Sequence, residues 1–204
     1  MAKKSTPVLS RANLWSLEEY AKRRPTFRPE VIAHKKNRTV HLGNHLALQF
    51  EDEMTVRYQI QEMLRVEAED EGDANERDGV QGELDAYLPL IPDGSNLKAT
   101  MLFEFPDPEV RMQRLSLLGG IEHRVFAEVD GGSRLFAHAD EDMERSAEEK
   151  TSAVHFLRFE FPAGDLDALR NGAELSFGID DPRLPERAKV SAATRTALLS
   201  DFTG

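Results

Sequence analysis

The segment Arg28–Arg65, RPEVIAHKKNRTVHLGNHLALQFEDEMTVRYQIQEMLR, constrains the fold more than any other part of the chain, because it joins a helix, a hairpin and a second helix without a linker. Pro29 suits the first turn of a helix that carries Val31, Ile32 and His34 and ends near Asn37. Thr39–Leu42 and His45–Phe50 then flank Gly43-Asn44, and glycine at the first central position is what a type II′ turn requires. That register sets Leu42 opposite His45 and His41 opposite Leu46, so the two histidines point to opposite faces and make a poor metal pair. In residues 54–66, Met54, Val56, Tyr58 and Ile60 alternate as in a strand, while Val56, Ile60, Met63 and Leu64 repeat as in a helix. The acidic opening Glu51-Asp52-Glu53 and the helix-favouring tail QEMLRVEAE decide for helix.

The flanking sequence extends this pattern. Ser16 caps a helix through Arg24, with Glu18 and Glu19 in its first turn, and Pro25 ends it. Residues 67–79 hold seven acids (Glu67, Glu69, Asp70, Glu71, Asp73, Glu76, Asp78) and read as an exposed acidic loop or frayed helix end. Val80, Leu84, Tyr87 and Leu88 repeat at helical spacing until Pro89. Leu97 to Phe105 alternates as a half-buried strand, and Asp107-Pro108 opens a helix closed by Gly119-Gly120. Ile121–Val129 and Arg134–Ala139 read as a hairpin, followed by a second acidic loop at 139–150. Ala153–Phe161 and Glu174–Asp180 are further strands separated by a short helix at Asp165–Arg170, and a last helix spans Ser191–Phe202. Hairpins outnumber alternating strand–helix units, so the expected fold is α+β. We expect a single domain over residues 1–204, a mostly antiparallel sheet of about six to seven strands with helices packed on it, and residues 1–15 as an extended arm.

Composition bounds the class. The chain has 204 residues, 40% hydrophobic and 31% charged, which is ordinary for a folded protein. It contains no cysteine, which removes disulfides, thiolate metal sites and a thiol nucleophile. No apolar run is long enough to cross a bilayer and MAKKSTPVLS lacks the apolar core of a secretory signal, so a cytoplasmic location is expected. Charge is unevenly placed: residues 1–40 carry ten Lys or Arg against three Glu, whereas the whole chain is at −11. This asymmetry marks either a basic docking surface or internal pairing with an acidic body.

Several residues stand out as candidates for chemistry. His34-Lys35-Lys36-Asn37-Arg38 supplies positive donors where a helix hands over to a hairpin, a pattern that binds an anion or an acidic partner, or serves as a solvated helix end. Arg65 and Lys150 are further candidates for holding an anion, and with Glu62 they also read as an internal ion-pair network. His123 and His155 each share a strand face with apolar neighbours, which is the setting of a hydrogen-bonded core histidine. His34, Glu62 and His155 would form a two-histidine, one-carboxylate site for iron, manganese or zinc if they converge. Nucleic acid is disfavoured, since the basic residues lack interleaved aromatics. Lys150-Thr151-Ser152 lacks the glycines of a phosphate loop, and no Gly-x-Ser-x-Gly elbow is present. Two function classes therefore stand: an accessory or interaction module docking through Lys35, Lys36 and Arg38, and a small-molecule or metal-dependent enzyme using His34, Glu62 and His155.

The segments SLEEY, VIAHKKNRTVHLGNHLALQFED, YQIQEMLR, ELDAYLPLIPDGSNLKATMLFE, GIEHRVFAEV, ADEDMER and EKTSAVHFLRFEF occur in this order. In these the chain resembles the bacterial family known as domain of unknown function 3501, over nearly its whole length. The family has no assigned activity or catalytic residues. What the resemblance implies is an accessory role in redox or peroxide metabolism, beside a rubrerythrin-like or iron–sulfur reductase-like protein. The chain departs from the family pattern at GIDDPRLP, where Asp181 stands in place of an expected histidine, which puts any chemistry of that histidine in doubt.

Overall fold

Two prolines lie inside the first long helix. The structure, a computed structural model, describes residues 9–71, 76–141 and 150–203. Helix α1 runs unbroken over Leu17–Lys36 through Pro25 and Pro29, where the sequence predicts a break and two helices. Ser16 caps it as expected, its hydroxyl accepting from Glu19 N at 3.2 Å. Each interior proline removes one backbone hydrogen bond and costs about 3 kcal/mol. The helix persists because tertiary contacts hold it before Pro25 and between the two prolines. Arg24 reaches Glu62 with 2.6 and 3.0 Å bonds, and Trp15 packs edge-on against Phe27, centroids 4.9 Å apart. Thr26 Oγ1 also donates to the Arg23 carbonyl.

After α1 come β1 (Thr39–Leu42), β2 (Leu46–Phe50), α2 (Glu53–Glu71) and α3 (Glu76–Tyr87). The helix expected at 54–66 is thus present. Asp52 and Thr55 cap it reciprocally, Thr55 N donating to Asp52 Oδ1 at 3.0 Å and Asp52 N to Thr55 Oγ1 at 2.9 Å. The acidic run, expected as an exposed loop or a frayed helix end, is helical at 67–71 and from Glu76 onward, and residues 72–75 lie outside the described part. The hairpin register differs by one residue from the sequence expectation: Leu42 pairs with Leu46 and His41 with Ala47. The turn therefore holds three residues, Gly43-Asn44-His45, with Gly43 at φ +66°. This register buries Leu42 and Leu46 together, and a one-residue slip would turn the strand's apolar set outward.

The rest comprises β3 (Asn96–Phe103), α4 (Pro108–Leu115), β4 (Val125–Val129), β5 (Leu135–Phe136), β6 (His138–Ala139), β7 (Val154–Glu160), α5 (Ala163–Arg170), β8 (Leu175–Ile179), β9 (Arg187–Lys189) and α6 (Ala192–Leu199). All strand pairs are antiparallel, so the fold is α+β. The strands divide between two sheets, in the orders β1-β2-β3-β7-β6 and β5-β4-β8-β9, where one sheet was expected. The switch falls between Phe136 and His138, so the Arg134–Ala139 segment serves both sheets.

The described chain forms two compact units. Of the described residues, the first takes 9–34, 52–71 and 76–91, and the second 35–51, 92–141 and 150–203. In the first, Tyr20, Val31, Val56, Ile60 and Leu84 are buried, and Trp15, Phe27 and Tyr58 form a chain of ring contacts. In the second, the two sheets share one apolar core in which Phe177 meets Phe50 at 4.8 Å and Phe159 at 5.2 Å between centroids. No described helix is long and apolar enough to cross a membrane.

Candidate functional site

Strand β7 alternates strictly, so His155, Leu157 and Phe159 face inward from one side of it. His155 is fully buried and lies opposite Met101 in the sheet. Its Nδ1 is 2.6 Å from Asp140 Oδ2. Asp140 follows β6 with φ +50°, a left-handed conformation that aspartate tolerates better than most residues. That turn lets its other oxygen accept from Phe156 N at 3.0 Å while its own N–H donates to the Phe156 carbonyl. The Nε2 side of the ring meets Thr151 Oγ1 at 2.7 Å and the Ser152 carbonyl at 3.1 Å. Thr151 Oγ1 in turn donates to Glu122 Oε2 at 3.1 Å, and that oxygen is 3.9 Å from Nε2.

Glu122 comes from a short 3-10 turn, Ile121–Arg124, where the sequence predicts strand. This turn reverses the strand reading, which puts His123 on the apolar face and Glu122 on the other: Glu122 is buried, while His123 has 64% of its side chain exposed and is no core histidine. Glu122, Asp140 and His155 each offer a ligand atom, all within 4.8 Å of one another. The arrangement is chemically a carboxylate–imidazole–hydroxyl–carboxylate chain, suited to holding a proton or a cation away from water.

A second feature of the same unit is a cleft of about 650 Å³. Its walls are the β1–β2 turn, the end of β3, α4 and the loop before β9, and its floor is Leu42, Leu46, Phe103, Phe105, Leu118 and Leu184. His45 stacks on Phe105 with centroids 4.8 Å apart. Asp107, at the rim, is occupied as the cap of α4, accepting from Glu109 N and Val110 N. Arg183 is held by Asp181 and donates to the Leu117 and Gly119 carbonyls at 3.1 Å. The Arg183 guanidinium keeps the Asp181 carboxyl down at about 2, and the pair acts as an anchor for this wall. Arg114, also at the rim, is exposed and has no side-chain hydrogen bond or ion pair among the described residues.

The residues singled out from sequence fall as follows. Arg38 is 1% exposed and its guanidinium is saturated by an ion pair to Asp201 and by bonds to the Phe50, Glu51 and Ala197 carbonyls, so it cannot dock a partner. His34 pairs with Asp52 at 2.5 Å. Lys35 is half-buried at the helix end, where its carbonyl accepts from Thr39 Oγ1, and Lys36 is exposed. Glu62 binds Arg24, Tyr20 and, at 3.4 Å, Arg65, which is the internal ion-pair reading of that group. The Arg24 bonds hold the Glu62 carboxyl at about 2 in spite of burial, and burial pushes the Tyr20 hydroxyl above the usual phenol range. Lys150 is exposed and lies in the second unit with His155, whereas His34, Glu62 and Arg65 belong to the first. His155 thus groups with Glu122 and Asp140, each a residue the sequence reading passes over.

The family described as protein of unknown function (DUF3501) matches residues 8–202. The chain belongs to the DUF3501 family. It is also similar to a crystal structure of a novel protein of unknown function from Burkholderia pseudomallei, at 50% identity and a TM-score of 0.87, over 96% of this chain and 99% of that one. No curated protein matches the chain. Membership in DUF3501 therefore fixes fold and kinship, and function has to be argued from the two features above.

Proposed function

We propose that this DUF3501 chain is a binding protein, and that the cleft of its second unit takes up a small amphipathic anion with an apolar body. The observation that carries this reading is an apolar cleft of about 650 Å³ with a guanidinium at its mouth, Arg114, that no side-chain bond or ion pair engages among the described residues. That volume lies within the range of small-molecule sites, where apolar walls supply affinity and a few polar groups fix orientation. Val110 and Leu117 extend the apolar surface outward, 43% and 65% exposed, so a ligand would cover surface that now meets water. Glu186, which also lines the cleft, disfavours a second negative charge beside it and leaves Arg114 to meet the anionic head. The role remains that of an accessory module with an anion site, located in the cleft and not on the basic segment. The link to redox or peroxide metabolism and to a rubrerythrin-like or iron–sulfur reductase-like partner rests on the family resemblance alone.

Isothermal titration with decanoate tests the reading. Saturable 1:1 binding is expected, weakened at least tenfold by Leu117→Glu and by Arg114→Ala and strengthened by Glu186→Gln, with decanol indifferent to the Arg114 change. Absence of saturable binding at millimolar decanoate, or equal binding by Leu117→Glu, overturns it.

A further inference from the structure

We propose that Glu122, Thr151, Ser152 and His155 form a site for one divalent transition-metal ion, with Asp140 orienting the imidazole from behind. The argument begins with the hydrogens of His155. Nδ1 faces a carboxylate oxygen at 2.6 Å, and Nε2 faces a carbonyl oxygen at 3.1 Å and a hydroxyl at 2.7 Å. Nδ1 meets an acceptor, and Nε2 meets a carbonyl oxygen beside a hydroxyl that can donate or accept, while a neutral imidazole carries a hydrogen on only one of its nitrogens. With that hydrogen on Nδ1, donated to Asp140, the Nε2 lone pair is directed at a group of oxygens. A cation at that position turns a set of opposed lone pairs into a ligand sphere.

The distances suit this. Donors about 2.1 Å from a four-coordinate ion stand about 3.4 Å from one another. From Nε2, the Thr151 hydroxyl, the Ser152 carbonyl and the Glu122 carboxylate lie at 2.7, 3.1 and 3.9 Å, and Glu122 to Thr151 is 3.1 Å. To complete the polyhedron the Nε2–Thr151 separation opens by about 0.7 Å and the Nε2–Glu122 separation closes by about 0.5 Å. Asp140 against Nδ1 makes the carboxylate–histidine–metal arrangement that fixes ring orientation and raises ligand basicity. Burial adds to the case. The side chains of Glu122, Asp140 and His155 are 2%, 6% and 0% exposed, and two carboxylates enclosed beside one imidazole favour a bound positive charge. The imidazole nitrogen among the donors favours a transition-metal ion such as zinc, manganese or ferrous ion. The three residues come from separate elements, the Ile121–Arg124 turn, the end of β6 and β7, so bound metal would also tie these to one another.

The full chain, treated with chelator and then equilibrated with zinc or cobalt(II), is the material to test. We expect one ion per chain after gel filtration and visible cobalt bands of a low-coordinate site. Glu122→Gln, which keeps shape and volume, should abolish retention, and Asp140→Asn should weaken affinity roughly 10- to 100-fold while circular dichroism stays unchanged. Retention below a tenth of an equivalent by the unmodified chain, or undiminished retention by a folded Glu122→Gln variant, overturns the proposal. Decanoate binding is read separately, so failure here leaves the cleft reading standing, and the reverse holds.

Discussion

Arg38 is a cation that reads in sequence as part of a basic surface cluster and is enclosed in the protein instead. Its fork gathers the last carbonyls of β2, the end of α6 and the Asp201 carboxylate, side chains 1% and 7% exposed respectively for the ion pair. Removing one partner of a buried pair leaves the other charge without compensation, at a cost of about 3–5 kcal/mol. Arg38→Met should therefore lower stability by that amount in urea unfolding, and adding Asp201→Asn should recover part of the loss. A surface role for Arg38 predicts no change in either. The enclosed guanidinium was not legible because burial depends on where the chain goes after Phe50, which local spacing does not encode. His155 is the opposite case: alternation with Leu157, Phe159 and Phe161 announces an inward histidine, and the structure agrees. Its partners at positions 122, 140 and 151 are scattered, and topology alone assembles them. The one signal available was that all four residues fall within the segments carrying the family resemblance.

At the scale of elements, the helices of the first unit contain two carboxyl sites that titrate in opposite senses. Glu62 on α2, bound by Arg24 of α1, is held at about 2, below the usual 4.5. Its contribution to stability is full above 4.5 and is lost as pH falls toward 2. Glu83 on α3 is pushed up, first by burial and then by the charge and hydrogen bond of Glu67 on α2, so its ionised form opposes the fold as pH rises through the raised value. At pH 7, Glu62→Gln should destabilise, on the order of 1–2 kcal/mol, and Glu83→Gln should stabilise, both differences shrinking on acidification. Thermal melts of the two variants between pH 3 and pH 7 check this, and shifts of the same sign contradict it. Periodicity revealed α2, β3, β7 and the cap of α1, where side-chain pattern and local chemistry agree. It missed the continuity of α1 because proline's local penalty is outweighed by contacts distant in sequence, and it misplaced the hairpin register because His45 stacks on Phe105 outside the strand.

For the whole molecule, the chain passes between its two units three times, at residues 34–35, 51–52 and 91–92. A single domain, as expected from the sequence, remains our proposal: both units should unfold in one calorimetric transition whose van't Hoff and calorimetric enthalpies agree. Two resolved transitions would refute it.

The placement of β2 has a consequence for how the protein is made. Once residues 39–50 leave the ribosome, β2 has β1 on one side and nothing on the other, because its neighbour β3 begins only at Asn96. At translation rates of roughly 5–20 residues per second, that edge waits for several seconds with its backbone groups open. Nascent chains stalled within that window should be the most prone to aggregate and the most dependent on chaperones, an exposure created by chain order alone and erased once synthesis passes Phe103.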